Sequence, residues 1–147
     1  MKKRAIIVDL DGTLTNCEHR VHHVQNDPKD WKSFSEKMIE DDLHQWCHIL
    51  ITSMHKVKSD VIFLTGRGEK YRPHTEKWLN KHHINYDALY MRARGDYRED
   101  AVVKREIYLE NISKEYEVLF VLEDRSSVVK MWRELGLTCL QCAEGNF

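Results

Sequence analysis

Ile6-Ile7-Val8-Asp9-Leu10-Asp11-Gly12-Thr13-Leu14 begins as an apolar run rich in β-branched residues and breaks off in two carboxylates and a glycine. That is the pattern of a buried strand with an abrupt end. In an open parallel sheet, ligands bind beyond the carboxyl ends of the strands, so Asp9 and Asp11 are expected at the mouth of a crevice. Residues two apart on a strand point the same way. Gly12 permits a sharp exit, and Thr13 can satisfy the backbone groups freed there. Two anions held this close repel, which implies a shared proton or a bound cation.

Four further strand-like segments follow Arg4–Leu10: Asp60–Thr65, Asp87–Met91, Val118–Glu123 and Thr138–Cys142. They alternate with helical segments, the signature of an α/β fold with a five-stranded, mostly parallel sheet covered on both faces. Leu43, Trp46, Cys47, Leu50, Ile51 and Met54 keep a helical stripe, as do Tyr71, Thr75, Trp78, Leu79 and His82, and Val128, Met131, Trp132 and Leu135. Asp100–Ile112 is helical by propensity, with a thinner stripe. Thr15–Asn26 is polar and aperiodic, and reads as a flap over the site. Asp27-Pro28 suggests the start of a short helix carrying Trp31, Phe34, Met38 and Ile39 on one face. With no repeat or linker in view, residues 1–147 are expected to form one domain with a small lid at about 15–41.

The chain has 147 residues, 41% hydrophobic and 32% charged, ordinary values for a globular protein with a real core. No apolar run approaches membrane length, and Met1-Lys2-Lys3-Arg4 leads straight into a strand, so we expect neither signal peptide nor membrane span and a cytoplasmic protein. Cys17, Cys47, Cys139 and Cys142 do not form a disulfide framework, and the C-x-x-C pair falls in a strand-like segment, as core thiols do. Nine histidines show no metal-site spacing, and the net charge of −1 gives no global field towards nucleic acid or membrane.

The other strand ends carry chemistry too. Val61-Ile62-Phe63-Leu64 runs into Thr65-Gly66-Arg67, a hydroxyl, a flexible residue and a guanidinium suited to a phosphoryl group. Val118–Leu122 runs into Glu123-Asp124, which beside Asp9 and Asp11 makes an oxygen-rich site for a hard cation. Metal binding is assigned to Asp9, the main-chain oxygen of Asp11, and Asp124, with Glu123 acting through water or by hydrogen-bonding a ligand. Lys104, at the start of a helix, would offset repulsion between a carboxylate and a phosphate. Arg92, Arg94, Arg98 and Arg105, with Arg67, Lys70 and Arg72, fall on the same edge and would follow a nucleic-acid backbone, unless Glu69, Asp96, Glu99 and Asp100 neutralise them.

The Asp9-Leu10-Asp11-Gly12-Thr13 motif resembles the nucleophile motif of the haloacid dehalogenase-like phosphohydrolases, whose fold is a Rossmann-like three-layer sandwich. Further matches lie at Arg20, Thr65-Gly66-Arg67, Met91-Arg92, Gly95-Asp96, Arg98, Asp100 and Val103-Lys104-Arg105-Glu106. They continue through Glu123-Asp124-Arg125, Met131-Trp132-Arg133, Gly136 and the ending Cys142–Phe147. Together these resemble the 3′-phosphatase domain of phage-type polynucleotide kinase–phosphatases. The resemblance implies a Mg²⁺-dependent phosphomonoesterase in which Asp9 attacks phosphorus, Asp11 is general acid and base, and Thr65 and Lys104 complete the catalytic set. Arg20, Thr65, Gly66, Arg67, Arg92 and Asp100 are the implied substrate-binding residues. Glu123 departs from the paired aspartates of the nearest relatives. No G-x-x-x-x-G-K-[ST] loop occurs, so any 5′-kinase or ligase activity is expected on a separate partner. The expected substrate is a 3′-phosphate end of DNA or RNA. Free nucleoside monophosphates are the alternative, and a catalytically silent binding module the second.

Overall fold

The central strand is β1 (Lys3–Val8), which pairs in parallel with β4 (Asp60–Gly68) on one side and β6 (Tyr116–Glu123) on the other. This computed structural model describes residues 1–147. β5 (Ala88–Arg92) extends the sheet beyond β4, and β7 (Cys139–Gln141) extends it beyond β6, giving the order β5-β4-β1-β6-β7 with every pair parallel. The five expected strands are all present. β4 continues past Thr65 to Gly68 and so carries Gly66 and Arg67 on strand backbone rather than in a turn.

Side-chain alternation divides the core. Ile6 and Val8 of β1 with Val61 and Phe63 of β4 face α3 (Gln45–Lys56) and α4 (Arg72–Lys81), where Cys47, Ile51, Trp78 and Leu79 are buried. Ala5, Ile7, Ile62, Leu64 and Val121 face the other layer, built from α5 (Asp100–Ile107) and α6 (Ser126–Glu134), where Val128, Val129 and Trp132 are buried. α5 runs on through a π-helical turn to Ile112. The expected stripe on α3 is narrower than its sequence: Cys47 and Ile51 take the buried line, while Trp46 turns aside against the His44 ring, 6.1 Å between centroids.

Between β1 and α3 lies a small insertion, over the segment expected as a lid. β2 (Thr15–Asn16) pairs antiparallel with β3 (Asp42–Leu43), and the loop between them holds α1 (Glu18–Gln25), α2 (Trp31–Glu36) and a 3₁₀ turn at Met38–Glu40. α1 occupies a stretch that reads as aperiodic because its buried residues are Arg20 and Val24, an arginine standing where an apolar residue would mark the inner face. The helix expected from Asp27-Pro28 starts later. Asp30 is its cap, accepting from the Ser33 N–H at 3.0 Å and the Ser33 hydroxyl at 2.7 Å, which satisfies an otherwise unpaired first-turn donor. No helix is long and apolar enough to cross a membrane.

Trp132 is fully buried edge-on to Tyr108, ring centroids 5.6 Å apart, yet its indole N–H meets no acceptor. Trp132→Ala should cost about 3–5 kcal/mol through lost burial and a cavity. Trp132→Phe should cost less than about 1.5 kcal/mol, since it discards an unpaired polar group along with some volume. Urea denaturation of both variants measures the difference.

Candidate active site

The register of β1 places Asp9 beside the end of β6: Val8 is level with Leu122, and the Asp9 N–H donates to the Leu122 carbonyl at 3.0 Å. Asp9, Glu123 and Asp124 each offer a carboxylate oxygen, all within 4.8 Å of one another, and all three residues are buried. Into this group α5 extends Lys104, whose ammonium donates to Asp9 Oδ1 and Glu123 Oε2, both at 2.9 Å, and lies 3.7 Å from Asp100 Oδ2. Burial alone would strip the proton from such a lysine. Three carboxylates overrule it and hold the Lys104 pKa well above its ordinary value. Glu123 also accepts from the Asp124 N–H at 3.3 Å, so it is the residue that seats the lysine and braces the chain beside it.

Lys104 does not reach Asp124. Burial, reinforced by the charge on Asp9, pushes the Asp124 carboxyl up to about 8. Three buried carboxylates facing one ammonium leave two negative charges uncompensated when all are ionised. That deficit and an all-oxygen donor set fit a divalent hard cation held by Asp9 and Asp124. Gly12, at φ +82°, gives them room: a Cβ there would overlap the Asp124 carboxylate.

Asp11 sits in a different field. The Arg67 Nε donates to both its oxygens at 3.1 and 3.2 Å, and Arg67 Nη2 donates to Oδ1 at 2.7 Å. Arg20 grips the same Oδ1 from the lid side. Burial would raise the Asp11 pKa, but the two guanidinium groups hold it well below the usual carboxylate range. Arg20 is fully buried, and its other hydrogen bonds go to Asp41 Oδ1 at 2.8 Å, Asp41 Oδ2 at 2.6 Å and the Phe34 carbonyl at 2.9 Å. The structure therefore sets Arg20 and Arg67, both expected to bind substrate, against Asp11. Asp41 completes the set. It lies in the acidic run Glu40-Asp41-Asp42, where nothing in the sequence distinguishes it from solvated surface charge.

Thr65 is buried on β4 two residues before Arg67, whose N–H donates to the Thr65 hydroxyl at 3.1 Å. Gly66 leaves room for Asp100, since a Cβ would overlap that carboxylate. Asp100 accepts from Arg92 Nη2 at 3.0 Å, and Arg92 spends its remaining donors on the carbonyls of Gly66, Asp96 and Arg98. The expected basic rim is mostly neutralised in place: Arg98 pairs with Asp96 and Glu106, Arg72 with Glu69, and Arg67 with Asp11. Its arginines fold the loops after β4 and β5 rather than leaving a continuous positive track.

The C-terminal residues close one wall. Gly145 accepts from the Ser126 N–H at 2.8 Å, Gln141 donates to the Asp124 carbonyl at 3.0 Å, and Cys142 Sγ lies 3.7 Å from the Gly12 carbonyl. All four cysteines are free thiols.

Because Arg20 is sealed between Asp11 and Asp41, removing it leaves Asp11 with Arg67 and leaves the buried Asp41 with only the His19 ring at 2.7 Å and Arg67 at 3.8 Å. Arg20→Ala should destabilise the fold by about 3 kcal/mol, the cost of weakening the partnership of a buried charge. Equilibrium unfolding in urea gives this directly.

Comparison with known proteins agrees with this geometry. The model of the polynucleotide kinase PNKP phosphatase domain matches residues 3–147. A protein of Autographa californica nuclear polyhedrosis virus assigned as a bifunctional polynucleotide kinase/RNA ligase is 26% identical over 138 residues, covering 91% of this chain and 18% of its own length. A chain of the Pnkp1/Rnl/Hen1 RNA repair complex superposes with a TM-score of 0.86 at 38% identity, over 99% of this chain and 44% of that one. The present chain thus spans less than half of these relatives. The class C acid phosphatase from Bacillus anthracis, solved with tungstate bound, shares the fold at a TM-score of 0.65 and 17% identity, over 84% of this chain and 53% of its own. With a nucleophile-type strand end, a buried lysine and nearly its full length matched, the chain belongs to the haloacid dehalogenase-like phosphatase-domain family of polynucleotide kinase PNKP.

Proposed function

We propose that residues 1–147 work as one phosphatase domain, with the segment around 15–41 as a small lid, that hydrolyses 3′-phosphate ends of nucleic acid. The observation that carries this reading is the Asp9 carboxylate, 6% exposed at the sheet's carboxyl edge and hydrogen-bonded to the Lys104 ammonium, in a chain of the PNKP phosphatase family. Asp9 attacks phosphorus in line and forms an aspartyl-phosphate as the bond to the 3′ oxygen breaks. That oxygen leaves with a proton, and water then cleaves the acyl phosphate to release inorganic phosphate and restore Asp9. Thr65 and Lys104 carry the charge on the transferring oxygens.

Asp11 is the acid and base of the scheme, and its surroundings favour one half of the cycle. Gripped by Arg67 and Arg20, it is an ionised carboxylate in the free domain, ready to accept a proton from the attacking water. Acting as an acid requires it to take up a proton first, which an anionic substrate oxygen supports by competing for the Arg67 guanidinium. Arg20 acts through Asp11, while Asp100 and Arg92 shape the Gly66 loop that receives the phosphoryl group. Asp9, the main-chain oxygen of Asp11 and Asp124 would hold Mg²⁺, which when bound supplies Lewis-acid neutralisation of the phosphate charge. Kinase or ligase activity belongs to other parts of the same assembly, as the names of the relatives suggest. Four free thiols fit a reducing, cytoplasmic setting.

The neutralised rim favours an end-binding enzyme over one that tracks a long backbone, and it keeps free nucleoside monophosphates in view. Kinetics on a 3′-phosphorylated oligonucleotide and on nucleoside 3′-monophosphates should show higher kcat/KM for the oligonucleotide, and Asp9→Asn should abolish both. Equal or better turnover of the monomers assigns the domain to free nucleotides. Full activity of Asp9→Asn overturns the scheme.

Cation binding should depend on pH in a defined direction. Asp124 binds its proton more tightly in the fold than when unfolded, so the metal-free fold gains from that proton at low pH and loses the gain as pH rises from about 4 towards about 8. A divalent cation must displace the same proton. The rise in Tm produced by Mg²⁺ should therefore grow as pH increases to about 8, and Asp124→Asn should flatten the trend. Thermal melts with and without the cation read both.

A further inference from the structure

Trp31 heads α2 in the lid and is 43% exposed. Two connections fix it relative to the catalytic centre. On one side its ring packs edge-on to Phe34, 5.5 Å between centroids. Phe34 in turn lies under the Arg20 guanidinium, 4.2 Å from the ring, and that guanidinium grips Asp11. On the other side the Arg125 guanidinium, one residue past Asp124, stands 5.6 Å from the Trp31 ring and 5.3 Å from the Phe147 ring. Arg125 is itself held, donating from Nε to the Phe147 carbonyl at 2.8 Å with Nη1 3.7 Å from Asp100 Oδ2.

An indole, a guanidinium and a phenyl ring thus stand together, linked through Phe34 and Arg20 to Asp11 and one residue along the chain from Asp124. Flat π surfaces and a planar cation accept a nucleobase face, and they do so with little regard to its identity. Lys29, with its ammonium 5.7 Å from the Trp31 ring, brings positive charge to the same place, suited to a phosphodiester one step along a strand. We infer that Trp31, Arg125 and Phe147 form the seat for the terminal nucleobase of the substrate, with Trp31 as the stacking surface. This rests on the reading of the domain as a polynucleotide 3′-phosphatase. It adds where the base goes. A pure latch, in which Trp31 only holds the lid against Arg125, is the competing use of the same contacts.

Base removal from the substrate separates them. Two oligonucleotides with 3′-phosphate ends are compared, one with a normal terminal nucleotide and one whose terminal nucleotide is abasic. The wild-type kcat/KM should favour the normal end by about 10-fold, the scale of one base–aromatic stack. In Trp31→Ala the preference should fall to near unity, and Trp31→Phe should retain most of it. Because the measure is a ratio within one preparation, it does not depend on what fraction of a variant folds. A wild-type ratio near one, or an undiminished ratio in Trp31→Ala, overturns the stacking seat, and loss of both activities in proportion identifies a latch. Failure of the wild-type protein to hydrolyse either oligonucleotide overturns the 3′-phosphatase reading, and the seat with it.

Discussion

A lysine ammonium buried among carboxylates is the interaction on which the site's architecture rests. Lys104 could not stay charged at its depth without Asp9 and Glu123 at 2.9 Å. Its neighbours come from elements far apart in the sequence: the end of β1, the end of β6 and the first turns of α5. Parallel β1–β6 pairing brings the two acidic ends level, and packing of α5 on the sheet delivers the cation. The layers of the fold are thus the means by which one charge is placed among three of opposite sign.

Two charge networks meet at the end of β1, around Asp9 and around Asp11, and are balanced differently. Around Asp11, two arginines meet two aspartates, Asp11 and Asp41, so the charges of those four groups balance. Around Asp9, three carboxylates meet one lysine, and the imbalance shows as the upward push on Asp124. The self-sufficient side holds Asp11 in a fixed orientation. The deficient side is the one with a use for a cation from outside.

The fold was legible in the sequence because its strands are continuous apolar runs, as strands buried on both faces must be, and because the helices between them keep a 3.6-residue period. The strand-end residues Asp9, Asp11, Thr65 and Asp124 were legible for the same reason, since strand ends mark the crevice. Glu123 was visible as an acidic strand end, but its use as the seat of Lys104 was not. The lid resisted reading. α1 turns Arg20 inward, so its buried face carries a charge where an apolar side chain would signal a helix, and Asp41 hides in an acidic run. The basic rim misled for the complementary reason: a count of arginines says nothing of the carbonyls and carboxylates that Arg92, Arg98 and Arg72 satisfy in the folded loops.

The lid is small, and its placement explains how it can matter. A two-stranded ribbon and two short helices bury little apolar surface of their own, with Cys17, Val24 and Phe34 as their core. Such a unit would be marginal alone. It is held instead by Arg20, whose guanidinium reaches from α1 through Asp41 to Asp11, and by the Trp78 indole N–H, which donates to the Asp41 carbonyl at 2.9 Å from α4. The polar bonds that orient Asp11 are the same ones that dock this insertion. A shift of this insertion relative to the sheet would therefore change the hydrogen bonding of Asp11.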